Sequence, residues 1–192
     1  MPKIVNHEER KALIAKATWS VIAREGLGGA SVRSIAKEAN LSLGAVRHYF
    51  NTQEELLEFA MKLVEEQVTE RIIEHTKQPL PPKQLTLNML MELVPVGERI
   101  VEMQVWLEYV SYKLRKKNLQ EDAVHDGIVF IINQLNDAGL LKKGLNLEEE
   151  IIRLHALIDG LALHLLMGVV PIDADKIEAL IKRELDRIFL EG

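Results

Sequence analysis

Residues 31 to 56 read SVRSIAKEANLSLGAVRHYFNTQEEL, and the fold turns on this stretch. Its apolar residues fall at helical spacing on either side of Asn40-Leu41-Ser42. That spacing predicts two short helices, Val32 to Ala39 and Leu43 to Tyr49, joined by a three-residue turn. Asn40 tolerates the left-handed backbone that ends the first helix, and Ser42 can cap the second. Ala36 is small where two crossing helices need close approach. Val32, Ile35, Ala39, Leu41, Val46 and Phe50 are expected to form a miniature core with Leu13, Ala17 and Val21 of a preceding helix.

With Val46 and Phe50 inward, the hundred-degree step per residue turns Gly44 and His48 outward. Ala45 and Tyr49 fall on one flank, Leu43 and Arg47 on the other. A short helix with small residues at its start and Arg, His and Tyr behind them suits a major groove. Arg47 can fork onto a guanine edge or a phosphate, Tyr49 can donate to a phosphate, and Arg33 faces the same surface. Short amphipathic helices with a solvated polar face would look similar. The cap, the local charge and the exposed basic and aromatic triplet favour the DNA reading.

The same residues resemble the DNA-binding head of the TetR family of bacterial regulators. The resemblance rests on Ile35-Ala36, then Ser42-Leu43-Gly44, then Val46-Arg47-His48-Tyr49-Phe50, then Thr52 and Leu56. The Arg-His-Tyr-Phe version is similar to a branch that includes choline-responsive BetI-like repressors. The family often has Gly where Asn40 stands, Tyr where Arg47 stands and a phosphate-binding Lys where Gln53 stands. By matching position the resemblance implies DNA contacts from Ser31, Arg33, Ser42, Leu43, Gly44, Ala45, Arg47, His48, Tyr49 and Gln53.

The whole chain has 192 residues, a net charge of −5 and no cysteine, which excludes thiolate catalysis, iron–sulfur clusters and cysteine zinc sites. Residues 1 to 53 carry +4 and the remainder −9, so a small basic head is followed by an acidic body. Nine helices are predicted in an all-α fold: His7 to Glu25, ended by Gly26, Gly28 and Gly29, then 32–39, 43–49, 53–76 and 82–93. The rest run over 97–116, 119–141, 147–167 and 174–190. Thr52 with Glu55 reads as a capping box, Ser31 and Asp173 as N-caps, and Gly144 and Gly168 as residues just past helix ends. The expected domains are 1–53, a three-helix helix-turn-helix head, and 54–192, a larger helical body for effector binding and dimerisation. With no signal-like apolar start and no run long enough to span a bilayer, a cytoplasmic protein is expected.

In the body, Met103, Trp106, Tyr109 and Val110 form a stripe able to line an apolar pocket, though ordinary core would show the same stripe. Phe130, Gln134, His155 and Asp159 are candidate additions, the last two spaced to pair on one helix instead. Residues 147–167 are apolar around most of the helix, and 174–190 carry a clean stripe. Ile158, Leu161, Leu165, Ile177, Leu180, Ile181 and Leu185 are therefore expected at a dimer interface.

Enzyme chemistry finds no support. The six histidines show no metal spacing, and there is neither a Gly-rich phosphate loop nor a G-x-S-x-G elbow. No metal and no cofactor is expected. The reading is a homodimeric regulator of transcription, a repressor released from a palindromic operator on double-stranded DNA by a small-molecule effector. A helical protein-interaction module without DNA is the alternative.

Overall fold

The computed structural model describes residues 7–117, 122–168 and 171–190. Among them are nine α-helices and one 3-10 turn: α1 (His7–Gly29), α2 (Val32–Glu38), α3 (Leu43–Tyr49), α4 (Gln53–Thr76), α5 (Pro82–Glu92), η1 (Gly97–Arg99), α6 (Ile100–Lys116), α7 (Ala123–Asp137), α8 (Leu147–Met167) and α9 (Ala174–Ile188). None is long and apolar enough to cross a membrane.

The chain divides into two units, 1–67 with 101–119 and 68–100 with 120–192. This differs from a boundary after Gln53. The first unit takes in the front of α4 and nearly all of α6, because the helix-turn-helix needs a wall beyond its own three helices. Leu56, Leu57, Ala60, Met61 and Val64 of α4 are buried, and Trp19 Nε1 of α1 donates to the Ala60 carbonyl at 3.0 Å.

Two expectations for α1 need correction. The helix runs on to Gly29 rather than stopping at Glu25, but its backbone leaves helical geometry at Gly26, with φ 68°. The kink sits where the glycines were expected to end the helix. Ile14, fully buried, takes the core place expected for Leu13, which is 43% exposed. Ala17, Val21, Ile35, Ala39, Val46 and Phe50 are buried with it. Val32 and Leu41 are half-buried.

In the second unit α5 packs on α9 and α7 on α8. Asp122 caps α7 by accepting from the amides of Val124 and His125, so α7 starts later than expected. The expected start at Leu119 lies outside the described residues. The same helix stops at Asp137, and Gly139 rather than Gly144 takes the left-handed position just beyond it. Gly144 lies instead in the loop before α8. Asp173 caps α9 and Gly168 ends α8 in left-handed geometry, as expected. After α9 the chain turns extended, and Lys142 N donates to Ile188 O while Leu190 N donates to Leu140 O, each at 2.9 Å.

A carboxylate hub ties this unit together. Glu92 of α5 accepts from Arg71 Nε at 2.8 Å, contacts His75 Nε2 at 3.0 Å and pairs with Arg99. Burial pushes its pKa up, but His75, Arg71 and Arg99 outweigh that and hold it below the ordinary glutamate value.

Candidate nucleic-acid interface

The turn between α2 and α3 is built as its sequence requires. Asn40 has φ 53°. There its amide donates to Lys37 O at 3.2 Å and that of Leu41 to Ala36 O at 2.8 Å, closing the end of α2. Ser31 Oγ accepts from Ser34 N at 3.1 Å, and Ser31 N donates to Ser34 Oγ at 2.9 Å, a capping box closed by serine. Ser42 Oγ accepts from Ala45 N at 3.1 Å. Thr52 Oγ1 accepts from Glu55 N at 3.1 Å, while the Glu55 carboxylate reaches Asn51 N at 2.8 Å rather than the amide of Thr52. The box is therefore shifted by one residue.

These caps fix a short α3 with one buried contact, Val46. Ser31, Arg33, Ser42, Gly44, Arg47, His48 and Gln53 are exposed or open in part, and Leu43, Ala45 and Tyr49 flank them. All ten sequence-derived contact residues lie in the first unit. His7 joins them, although the sequence pattern does not single it out. Its ring lies 5.6 Å from Tyr49 and 6.3 Å from His48, and the rings of His48 and Tyr49 meet edge-on at 5.2 Å. Nothing in local spacing could have linked position 7 to position 48.

The expected effector residues are divided. Met103 on α6 is buried and Trp106, Tyr109 and Val110 flank it with more of their surface open. Glu102, one turn before Trp106, is also buried, a carboxylate that the apolar pattern concealed. Phe130, 63% exposed, and the exposed Gln134 stand outside the buried face of α7, which is Ile128, Ile131, Ile132 and Leu135. Neither can line an enclosed pocket within its own unit. His155 Nε2 lies 3.3 Å from Asp159 Oδ2 and 3.4 Å from Asp122 Oδ2, with the His125 ring 5.3 Å away. Burial and Asp122 push the Asp159 pKa up, outweighing His155.

The dimer expectation also changes. Ile158, Leu161, Ile177, Ile181 and Leu185 are buried within the single chain, because α8 and α9 bury their stripes against their own unit. Leu165 is half-buried and Leu180 is 38% exposed. The exposed apolar surface on these helices is Ile152, Leu163, Met167 and Leu180.

Comparison with known proteins agrees with the fold and the head. Residues 14–60 match the model of bacterial regulatory proteins of the TetR family, and residues 82–190 match the C-terminal model of BetI-type transcriptional repressors. The chain is 47% identical over its whole length to the HTH-type transcriptional regulator PksA of Bacillus subtilis, covering 95% of it. It is 34% identical to the HTH-type transcriptional regulator BetI of Vibrio campbellii, over 97% of this chain and 96% of the other. A transcriptional regulator from Rhodococcus shares the fold with a TM-score of 0.74 at 26% identity, covering 93% of this chain and 95% of that one. A protein from Saccharomonospora viridis, described as a putative transcriptional regulator and solved in complex with choline, has a TM-score of 0.83 at 21% identity, over 96% and 100%. The chain is a member of the TetR family of DNA-binding transcriptional regulators, with a BetI-type C-terminal region, and belongs among regulators rather than enzymes.

Proposed function

We propose that the protein is a homodimeric repressor that binds a palindromic operator through two copies of α3 and leaves it when a small effector binds the body. The observation that carries this reading is α3 itself. Capped by Ser42 and anchored through Val46, it leaves Arg47 and His48 exposed on one short element, the geometry of a recognition helix. Direct contacts are assigned to Arg33, Arg47, His48, Tyr49 and Gln53, with Ser31, Ser42, Leu43, Gly44 and Ala45 allowing close approach. Pairing is assigned to the apolar residues left open on α8 and α9, since burying such a patch favours association.

For the effector, the lining is assigned to Met103, Trp106, Tyr109 and Val110 of α6. Glu102 lies on their helix one turn from Trp106, and a carboxylate beside aromatic rings attracts a cationic headgroup. The choline held by the Saccharomonospora viridis protein makes that class the first to test. Release then requires the effector to bind the operator-incompetent state more tightly.

Selection of bound fragments from the host's DNA tests the reading. Enriched sites should be palindromic, with half-sites about one helical turn or a multiple of it apart. Fragments without symmetry or sequence preference would overturn it.

A further inference from the structure

Residues 112–117 read Tyr-Lys-Leu-Arg-Lys-Lys. These are four cations without an acid in a chain whose overall charge is negative. They lie at the end of α6, which belongs to the same unit as the helix-turn-helix. A groove in that unit is lined by Gln53, Glu54 and Leu57 of α4 and by Glu108, Tyr112, Arg115 and Lys116 of α6. Gln53, an assigned phosphate contact, therefore shares a surface with two cations that are distant in sequence.

The four cations differ in how they are held. Lys113 is committed, 3.3 Å from Glu58 and 5.1 Å from the centre of the Tyr109 ring. Arg115 gives one nitrogen to Ser111 Oγ at 2.6 Å, and its remaining donors stay available. Lys116 lies 5.9 Å from the centre of the Tyr112 ring. Among the described residues no carboxylate is within ion-pair distance of Arg115 or Lys116. Arg115, Lys116 and Lys117 are all exposed. Glu54 and Glu108 line the groove as well, so its attraction for anions depends on where the cations sit rather than on a large net charge.

We infer that the basic end of α6 is a second phosphate-gripping element, in which Arg115 and Lys116 extend the DNA surface of α3 across Gln53 onto the flanking backbone. This rests on the reading of α3 as a DNA-recognition helix. Gln53 is uncharged and can contribute only a neutral hydrogen bond, whereas a guanidinium and an ammonium beside it neutralise phosphates and release counterions. The contacts carry no base information, so they add affinity without changing sequence preference.

The test measures operator affinity by fluorescence anisotropy on a selected fragment between about 50 and 200 mM salt, for the wild type and for Arg115→Gln/Lys116→Gln. Each lost phosphate contact should lower the magnitude of the log K against log salt slope by about 0.9, so the double variant, which removes two cations from each protomer of a dimer, should lose up to about 3.6. Its ranking of operator sequences should not change. Lys182→Gln/Arg183→Gln, which removes the same charge from exposed positions on α9, is the control and should leave the slope close to wild type. Equal slopes for the two double variants would overturn the inference. If the α6 double variant fails to fold by circular dichroism, Lys116→Gln alone is measured, with an expected loss of up to about 1.8 for the two lysines of a dimer. A wild-type protein that ignores every duplex at low salt would sink the α3 reading itself, a result distinct from a wild type that binds while the α6 variant matches it.

Discussion

Trp19 Nε1 donates to the backbone carbonyl of Ala60 at 3.0 Å, a bond between residues forty-one positions apart that fastens α1 to α4. An indole at an interior position needs a partner for its N–H, and a helix carbonyl can accept a second hydrogen bond beside its own. The bond fixes the helix-turn-helix to the front half of α4. The recognition surface is therefore anchored to a helix whose later residues belong to the second unit.

Arg47→Ala should lower operator affinity by about 1–3 kcal/mol per half-site if its guanidinium forks onto a base edge. Anisotropy titration at fixed salt measures this, and the loss should be confined to operators carrying the contacted base. A uniform loss across sequences would make Arg47 a phosphate contact instead.

Asn40 stands at φ 53°, so its substitution separates conformational tolerance from side-chain chemistry. Asn40→Gly should leave stability within about 1 kcal/mol of wild type. Asn40→Val should cost about 1–2 kcal/mol or more in urea unfolding, because a branched side chain clashes in left-handed backbone.

The Glu92 hub should make the protein sensitive to acid. A carboxyl held below its ordinary pKa contributes stability that is complete above the unfolded glutamate value, about 4.3, and is lost as pH falls through the lower folded value. Glu92→Gln should therefore lower stability by about 1–3 kcal/mol at neutral pH and flatten the acid limb of the thermal-midpoint profile. An unchanged acid limb would show that Arg71, His75 and Arg99 find other partners.

Asp159 should show the opposite sign. Its pKa is raised, so its contribution is fully present below the unfolded aspartate value, about 3.9, and is lost as pH rises through the folded one. Asp159→Asn should raise the thermal midpoint at neutral pH and match wild type in strong acid. A lower midpoint at neutral pH would mean that the contact with His155 outweighs the desolvation of the half-buried Asp159 carboxylate.

Met167→Lys combined with Leu180→Lys places two charges on the open apolar surface of α8 and α9 without touching the buried core. Sedimentation should show a shift from dimer to monomer, with operator binding lost in parallel. A dimer that survives both changes would place the interface elsewhere.

Much of this architecture is legible from the chain because its helix ends are written in side-chain chemistry. Ser31, Ser42, Asn40 and Asp173 each supply the group a helix end lacks, and α3, α4 and α8 begin and end at the residues their sequence indicates. The Asp122 cap is hidden because the apolar pattern of α7 extends beyond its ends in both directions. Periodicity also places Ile158, Ile177 and Ile181 on apolar stripes without saying whether the partner surface belongs to the same chain, and here it does. The recognition face is readable because it is local. His7 beside Tyr49, and Arg115 and Lys116 beside Gln53, depend on tertiary packing that brings distant positions together.

The first unit draws its walls from two separate stretches of chain, 1–67 and 101–119. During synthesis the unit that holds the helix-turn-helix cannot be completed when its own three helices emerge. It must wait until α6 has followed α4 and α5 out of the ribosome. A fragment cut after the recognition helix would lack the front of α4, whose apolar residues close the underside of the head. Such a fragment would be a poor substitute for the intact molecule in any binding assay.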